Sequence, residues 1–242
     1  MNKVYAVGMG PGDARQLTRQ AWDILKGCDT IIGYTVYAEL MKQYLPAKEY
    51  LTTPMRREAE RCHLAFAEAA KGKTVAMICS GDAGVYGMAG LLLEIGAGYP
   101  ECMVEVIPGV TAALAGGAVL GAPLMHDFAV ISLSDLLTPW ETIEKRLRGA
   151  AAADLGICIY NPASRKRADY LARACDILLK ELEENRICGL VAQIGRAGQK
   201  SCILTLKELR TRPVDMFTTV FIGNSQTKEI NGMMVTPRGY RI

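Results

Sequence analysis

Residues 74–87 set the tightest limit on how this chain can fold. Thr74-Val75-Ala76-Met77-Ile78 is a short apolar run with β-branched residues and no Gly or Pro, which predicts a buried strand. It runs straight into Cys79-Ser80-Gly81-Asp82-Ala83-Gly84-Val85-Tyr86-Gly87, and residues 88–95 then read as a helix. The strand therefore ends in a loop of three glycines and one carboxylate, where backbone approaches a ligand closely and φ > 0 costs little. At the carboxyl end of a parallel strand, α/β proteins bind ligands in such loops. An ordinary glycine-rich turn between strand and helix has the same composition, so the loop alone leaves both roles open.

The same unit recurs along the chain. Residues 4–7 predict a first strand, ending in Gly8-Met9-Gly10-Pro11-Gly12-Asp13, with a helix over 14–27 whose apolar face holds Leu17, Ala21, Ile24 and Leu25. A dinucleotide loop would place glycine at position 13, and a phosphate cradle works through backbone N–H groups that Pro11 cannot supply. Asp13 is better read as a helix cap. Residues 30–32 predict a second strand, 58–71 a helix closed by Gly72, and 103–107 a strand leading into Pro108-Gly109-Val110-Thr111-Ala112. The small residues of 112–120 fit either close approach of a ligand or tight packing of a helix on a sheet. After Gly121-Ala122-Pro123 the pattern restarts, with strands at 128–133, 155–160, 187–194 and 218–222 and helices at 139–149 and 165–182. The expectation is an α/β fold with two α/β domains, residues 1–120 and 121–242, and a ligand cleft between them.

Composition narrows the function. Net charge is only +3, and no block of five or six like charges appears, which argues against a nucleic-acid partner. Eight cysteines are scattered without a CxxC pair, so no metal site is expected and the thiols suit a reducing, cytoplasmic setting. No apolar run approaches the length of a membrane span. The chain also lacks GxSxG and HExxH. His126 and Asp127 adjoin in sequence, and neighbours on a strand face opposite ways. Several glycine-rich strand ends with little acid–base machinery suit a protein that aligns a reactive cofactor with a reactive substrate.

The three loops 7–13 (VGMGPGD), 80–86 (SGDAGVY) and 107–112 (IPGVTA), in that order and spacing, resemble those of the tetrapyrrole methylases, the class III S-adenosylmethionine-dependent methyltransferases. The resemblance runs along essentially the whole chain. Residues 32–37 (IGYTVY), 131–141 (ISLSDLLTPWE), 160–165 (YNPASR), 222–225 (IGNS) and 236–240 (TPRGY) are similar to the branch that methylates precorrin-3B at C-17 with ring contraction, in cobalamin biosynthesis.

That resemblance implies S-adenosylmethionine as cofactor, S-adenosylhomocysteine as its product, a precorrin or cobalt-precorrin as substrate, and a homodimer. Carried over by position, Pro11, Gly81, Asp82, Val85, Thr111, Ala112, Tyr160, Asn161, Ile194, Gly195, Thr218 and Thr219 would hold the cofactor. Asp82 would offer an acceptor to hydroxyl or amino groups and a negative charge to a sulfonium. Ala83 departs from the family, where proline commonly follows Gly-Asp. A precorrin carries many carboxylates, so Arg56, Arg57 and Arg165 become candidates for substrate contacts, with Ser134, Asp135 and Thr138 from the branch-like segment. No catalytic acid or base is assigned. The alternatives are a sibling precorrin methylase acting at another carbon or, in a different class, a nucleotide-dependent oxidoreductase, which Asp13 at the third glycine position disfavours.

Overall fold

The computed structural model describes residues 2–164 and 166–241. The chain divides into two compact units, Met1–Thr111 and Ala112–Ile242. The division falls one helix earlier than the expected boundary at residue 120, because helix 112–120 packs on strands of the second unit.

The first unit runs β1 (Asn2–Gly8), α1 (Arg19–Gly27), β2 (Thr30–Tyr34), α2 (Thr35–Lys42), β3 (Glu49–Thr53), α3 (Glu58–Ala70), β4 (Val75–Cys79), α4 (Ala89–Gly96) and β5 (Cys102–Ile107). Its five strands form one sheet in the order β3-β2-β4-β1-β5, and all pair in parallel. Helices cover both faces, which is why β1 and β4 read as continuous apolar runs rather than alternating ones. Val4, Ala6, Val75 and Met77 pack with Phe66 of α3 and Leu92 of α4, while Val7, Ala76 and Ile78 pack with Leu25 of α1 and Met41 of α2. β3 escapes sequence reading because it is a polar edge strand, half-exposed along most of its length. The first helix also begins later than expected. Asp13 caps only a short 3-10 turn, accepting from the Arg15 N–H, and Thr18 then caps α1 by accepting from Ala21.

The second unit runs α5 (Ala112–Leu120), β6 (Gly121–Ala122), β7 (Phe128–Ser132), α6 (Trp140–Ala152), β8 (Gly156–Tyr160), α7 (Tyr170–Leu178), β9 (Ile187–Ala192), β10 (Lys200–Thr205), α8 (Leu206–Leu209), β11 (Thr218–Ile222), β12 (Lys228–Ile230) and β13 (Met233–Val235). Its main sheet has the order β10-β9-β11-β8-β7. Only β7 and β8 pair in parallel; β8–β11, β11–β9 and β9–β10 are antiparallel. A mixed sheet thus replaces a second run of parallel strands, since β9 to β11 are joined without full crossover helices. β6, β12 and β13 form a separate small sheet. α6 continues past Gly149 to Ala152, and α7 starts at Tyr170, not at the expected residue 165, because the 166–169 turn intervenes.

α6, α7 and α8 cover one face of this sheet through Ile143, Leu147, Leu171, Leu178 and Leu206 against Ile131, Ile157, Ile159, Val220 and Ile222. α5 lies on the other face, and its small residues serve close packing. A Cβ at Gly116 would stand 2.8 Å from the Phe221 ring, and one at Gly189 of β9 would stand 2.6 Å from Leu120. Among the described residues, no helix is long and apolar enough to cross a membrane.

Seven of the eight cysteines are buried and Cys202 is half-exposed. Burial pushes the thiols of Cys28, Cys62 and Cys79 up to about 11, and those of Cys158 and Cys175 up to about 12. Titration of the native protein with a disulfide reagent near pH 8 is therefore expected to modify Cys202 quickly, and the rest only as the chain unfolds. Rapid reaction of several thiols without loss of structure would contradict this packing.

Candidate active site

The strand order brings β4, β1 and β5 side by side, so the three glycine-rich loops leave the same edge of the first sheet. They are not merely adjacent. Gly10 N–H donates to the Gly81 carbonyl at 3.0 Å, Gly81 N–H donates to the Gly10 carbonyl at 2.8 Å, and Met9 N–H donates to the Cys79 carbonyl at 2.8 Å. Gly10 and Gly81 have φ of 69° and 71°, the left-handed region in which glycine is favoured. Gly8 and Gly109 cross at van der Waals distance. A Cβ on Gly8 would lie 2.6 Å from the Gly109 nitrogen, and one on Gly109 would overlap the Gly81 carbonyl oxygen.

Asp82 ties two of these loops together. Its Oδ1 accepts the Gly84 N–H at 2.7 Å within its own loop, and its Oδ2 accepts the Gly109 N–H at 2.8 Å from the loop after β5. The carboxylate thus has a structural duty that sequence reading missed, although each oxygen retains a lone pair for a further donor. Pro11 is buried between Gly10 and Gly12, and Val85 is half-buried. Thr111 is half-buried at the end of the unit. Across residues 8–13, 80–87 and 108–112 there is no Lys or Arg, and the charged side chains are the carboxylates of Asp13 and Asp82. Arg15 pairs with Asp13, and this partner holds the Asp13 carboxyl below its ordinary value. This donor set fits a cationic ligand with hydroxyl and amino groups and does not fit a pyrophosphate.

The second unit gathers its own candidates at one end of the mixed sheet. Tyr160 ends β8 and Asn161 follows it, Ile194 and Gly195 follow β9, and Thr218 and Thr219 begin the antiparallel β11. Ala112 opens α5, and the next residue, Ala113, donates its N–H to the Tyr160 hydroxyl at 2.6 Å. Asn161 adopts φ of 53° and donates its side-chain amide to Ser132 Oγ at 2.9 Å. Thr218 is buried, with its hydroxyl donating to Asp215 at 2.9 Å, and Gly195 N–H donates to Gln199 at 2.8 Å.

Of the substrate candidates, Arg56 and Arg57 are exposed between β3 and α3, and Arg57 pairs with Glu60 at 3.2 Å. Ser134, Asp135 and Thr138 are half-buried between β7 and α6. Arg165 lies outside the described residues. The structure adds Ser132, Arg167 and Tyr170 to this group. Arg167 Nη1 donates to Ser134 Oγ at 2.9 Å and to Asp135 Oδ1 at 3.3 Å, and the Tyr170 hydroxyl donates to Asp135 Oδ2 at 2.5 Å. That hydrogen bond, with burial, raises the Tyr170 phenol above its ordinary value. The signal in the sequence is the basic run 165–167, whose spacing alone does not show that Arg167 turns inward.

A model of the tetrapyrrole (corrin/porphyrin) methylases matches residues 3–210, and the chain belongs to that family. Tetrapyrrole methylases use S-adenosylmethionine, and the chain is accordingly an S-adenosylmethionine-dependent methyltransferase. It is 45% identical over 98% of both chains to a probable cobalt-factor III C(17)-methyltransferase of Salmonella typhimurium. It is 35% identical to a precorrin-3B C(17)-methyltransferase of Sinorhizobium sp, over 98% of this chain and 96% of that protein. The crystal structure of the methyltransferase CobJ superposes with a TM-score of 0.90 at 34% identity, covering 98% of this chain and all of the other.

At Gly8 and Gly109 the crossing leaves no room for a Cβ. Gly109→Ala is expected to lower stability by about 3 kcal/mol through overpacking, measured by urea unfolding. An unchanged midpoint would show that the loops separate without cost.

Proposed function

We propose that this chain methylates a cobalt-factor III type tetrapyrrole at C-17, with contraction of the macrocycle, in cobalamin biosynthesis. The observation that carries the reading is the full-length likeness to the cobalt-factor III relative, which exceeds the likeness to the precorrin-3B one and favours a cobalt-bearing substrate. When bound, S-adenosylmethionine supplies an activated methyl group on a sulfonium centre. The protein's task is then to bind, orient and exclude water, which agrees with a site poor in acid–base groups.

In this reading Pro11, Gly81, Asp82, Val85 and Thr111 hold the cofactor in the first unit, with the Asp82 carboxylate beside its positive charge. Ala112, Tyr160, Asn161, Ile194, Gly195, Thr218 and Thr219 remain part of the proposal in the second unit. Arg56, Arg57, Arg165, Ser134, Asp135 and Thr138 are offered for the substrate. A cytoplasmic homodimer completes the proposal, supported by the family resemblance and by eight cysteines without a disulfide.

A single-turnover assay with S-adenosylmethionine, offering cobalt-factor III and metal-free precorrin-3B in parallel, tests the reading by mass and visible spectrum. The expected result is one added methyl and the spectrum of a contracted ring, faster on the cobalt complex. Transfer to neither macrocycle would overturn it. The cofactor assignment has its own check. Asp82→Asn should weaken S-adenosylmethionine binding by about 30-fold, roughly 2 kcal/mol, in calorimetric titration without tetrapyrrole. An unchanged affinity would remove Asp82 from the cofactor site.

A further inference from the structure

The segment between β7 and α6 is pinned by a network that lies wholly within the second unit. Both oxygens of Asp135 are engaged, one by Arg167 Nη1 and one by the Tyr170 hydroxyl. Arg167 is fixed further by Nη1 to Ser134 Oγ and by Nε to Ser164 Oγ at 3.2 Å. Ser134 N–H donates to Ser132 Oγ at 3.2 Å, the same oxygen that accepts Asn161 Nδ2. A guanidinium held by three side chains from two segments has little freedom left. Yet only Nε and Nη1 are used, and Nη2 has no partner among the described residues. The Asp135 pair is single-pronged at 3.3 Å, with the Arg167 side chain 16% exposed.

A purely structural ion pair would gain most from the two-pronged contact that Arg and a carboxylate form readily. Here the fork is turned so that one prong remains unspent. The surroundings add to this. The Arg173 guanidinium lies 4.0 Å over the Trp140 ring and 4.9 Å from the Tyr170 ring, packing against the phenol that holds Asp135. At the tip of the same segment Leu136 is 58% and Leu137 98% exposed. A fixed cation, with exposed apolar side chains on the segment that holds it, matches a flat apolar macrocycle edged with carboxylates.

We propose that Arg167 is a specificity-determining residue that pairs through Nη2 with one carboxylate side chain of the tetrapyrrole, with Asp135 and Tyr170 as the positioning residues that aim it. The inference rests on the tetrapyrrole reading above, and adds Arg167 to the substrate contacts that the family resemblance implies.

The test is equilibrium binding of cobalt-factor III, and of its analogue with carboxylates converted to carboxamides, followed by absorbance in the full-length protein. Arg167→Met should weaken cobalt-factor III about 30-fold, leave the carboxamide analogue within about twofold, and leave S-adenosylhomocysteine affinity unchanged. Arg167→Lys should fall between the two proteins, because it keeps charge but loses the fork. If the Met variant does not fold, Arg167→Gln carries the same comparison, since its amide can still donate to Ser134. In turnover the loss should appear in KM for the tetrapyrrole, with kcat little changed. Equal loss for both ligands, or loss for neither, overturns the assignment to Arg167. Failure of the unsubstituted protein to bind cobalt-factor III instead overturns the tetrapyrrole reading, and this inference with it.

Discussion

The Gly84 and Gly109 N–H groups both point at the carboxylate of Asp82, and through it the loops after β4 and β5 hold one shape. The reciprocal hydrogen bonds between Gly10 and Gly81 bring in the loop after β1. Three strand ends are thereby joined mainly by backbone, with one side chain as the bridge. Backbone amides at such an edge need partners, and a carboxylate is the strongest acceptor a short side chain can offer them. The same choice sets the charge of the site. With no Lys or Arg in the three loops, the edge favours a cation, which is what a sulfonium cofactor presents.

The two units meet their requirements by different routes. In the first, parallel strands buried on both faces deliver their loops to one edge. In the second, the sheet is largely antiparallel, so the same end receives the finish of β8 and β9 but the start of β11. Thr218 and Thr219 therefore stand at that end as the first residues of a strand rather than in a loop. α5 reaches the sheet closely because Gly116 and Gly189 leave room for Phe221 and Leu120.

Much of this was legible in the residues, and the exceptions have physical causes. Buried strands such as β1, β4 and β11 announce themselves by apolar runs, and α5 begins and ends where its small residues do. β3 and β10 are half-exposed edge strands, whose polar residues carry no comparable signal. The shortened α7 shows a further limit. Helical pattern continues back through residues 166–169, but a tertiary contact of Arg167 with Ser134 and a local one with Ser164 hold that stretch as a turn. Candidate loops could likewise be found from glycine spacing, whereas the inward engagement of Asp82 depends on Gly109, which lies 27 residues further along the chain. Motif spacing shows which loops matter, and only packing shows what each polar atom already does.

Amide hydrogen exchange of the full chain, with and without S-adenosylhomocysteine, tests most directly whether the joined strand ends hold the cofactor. The account predicts that added protection concentrates in residues 8–12, 81–87 and 109–113. Protection gained elsewhere, with those three loops unchanged, would contradict it.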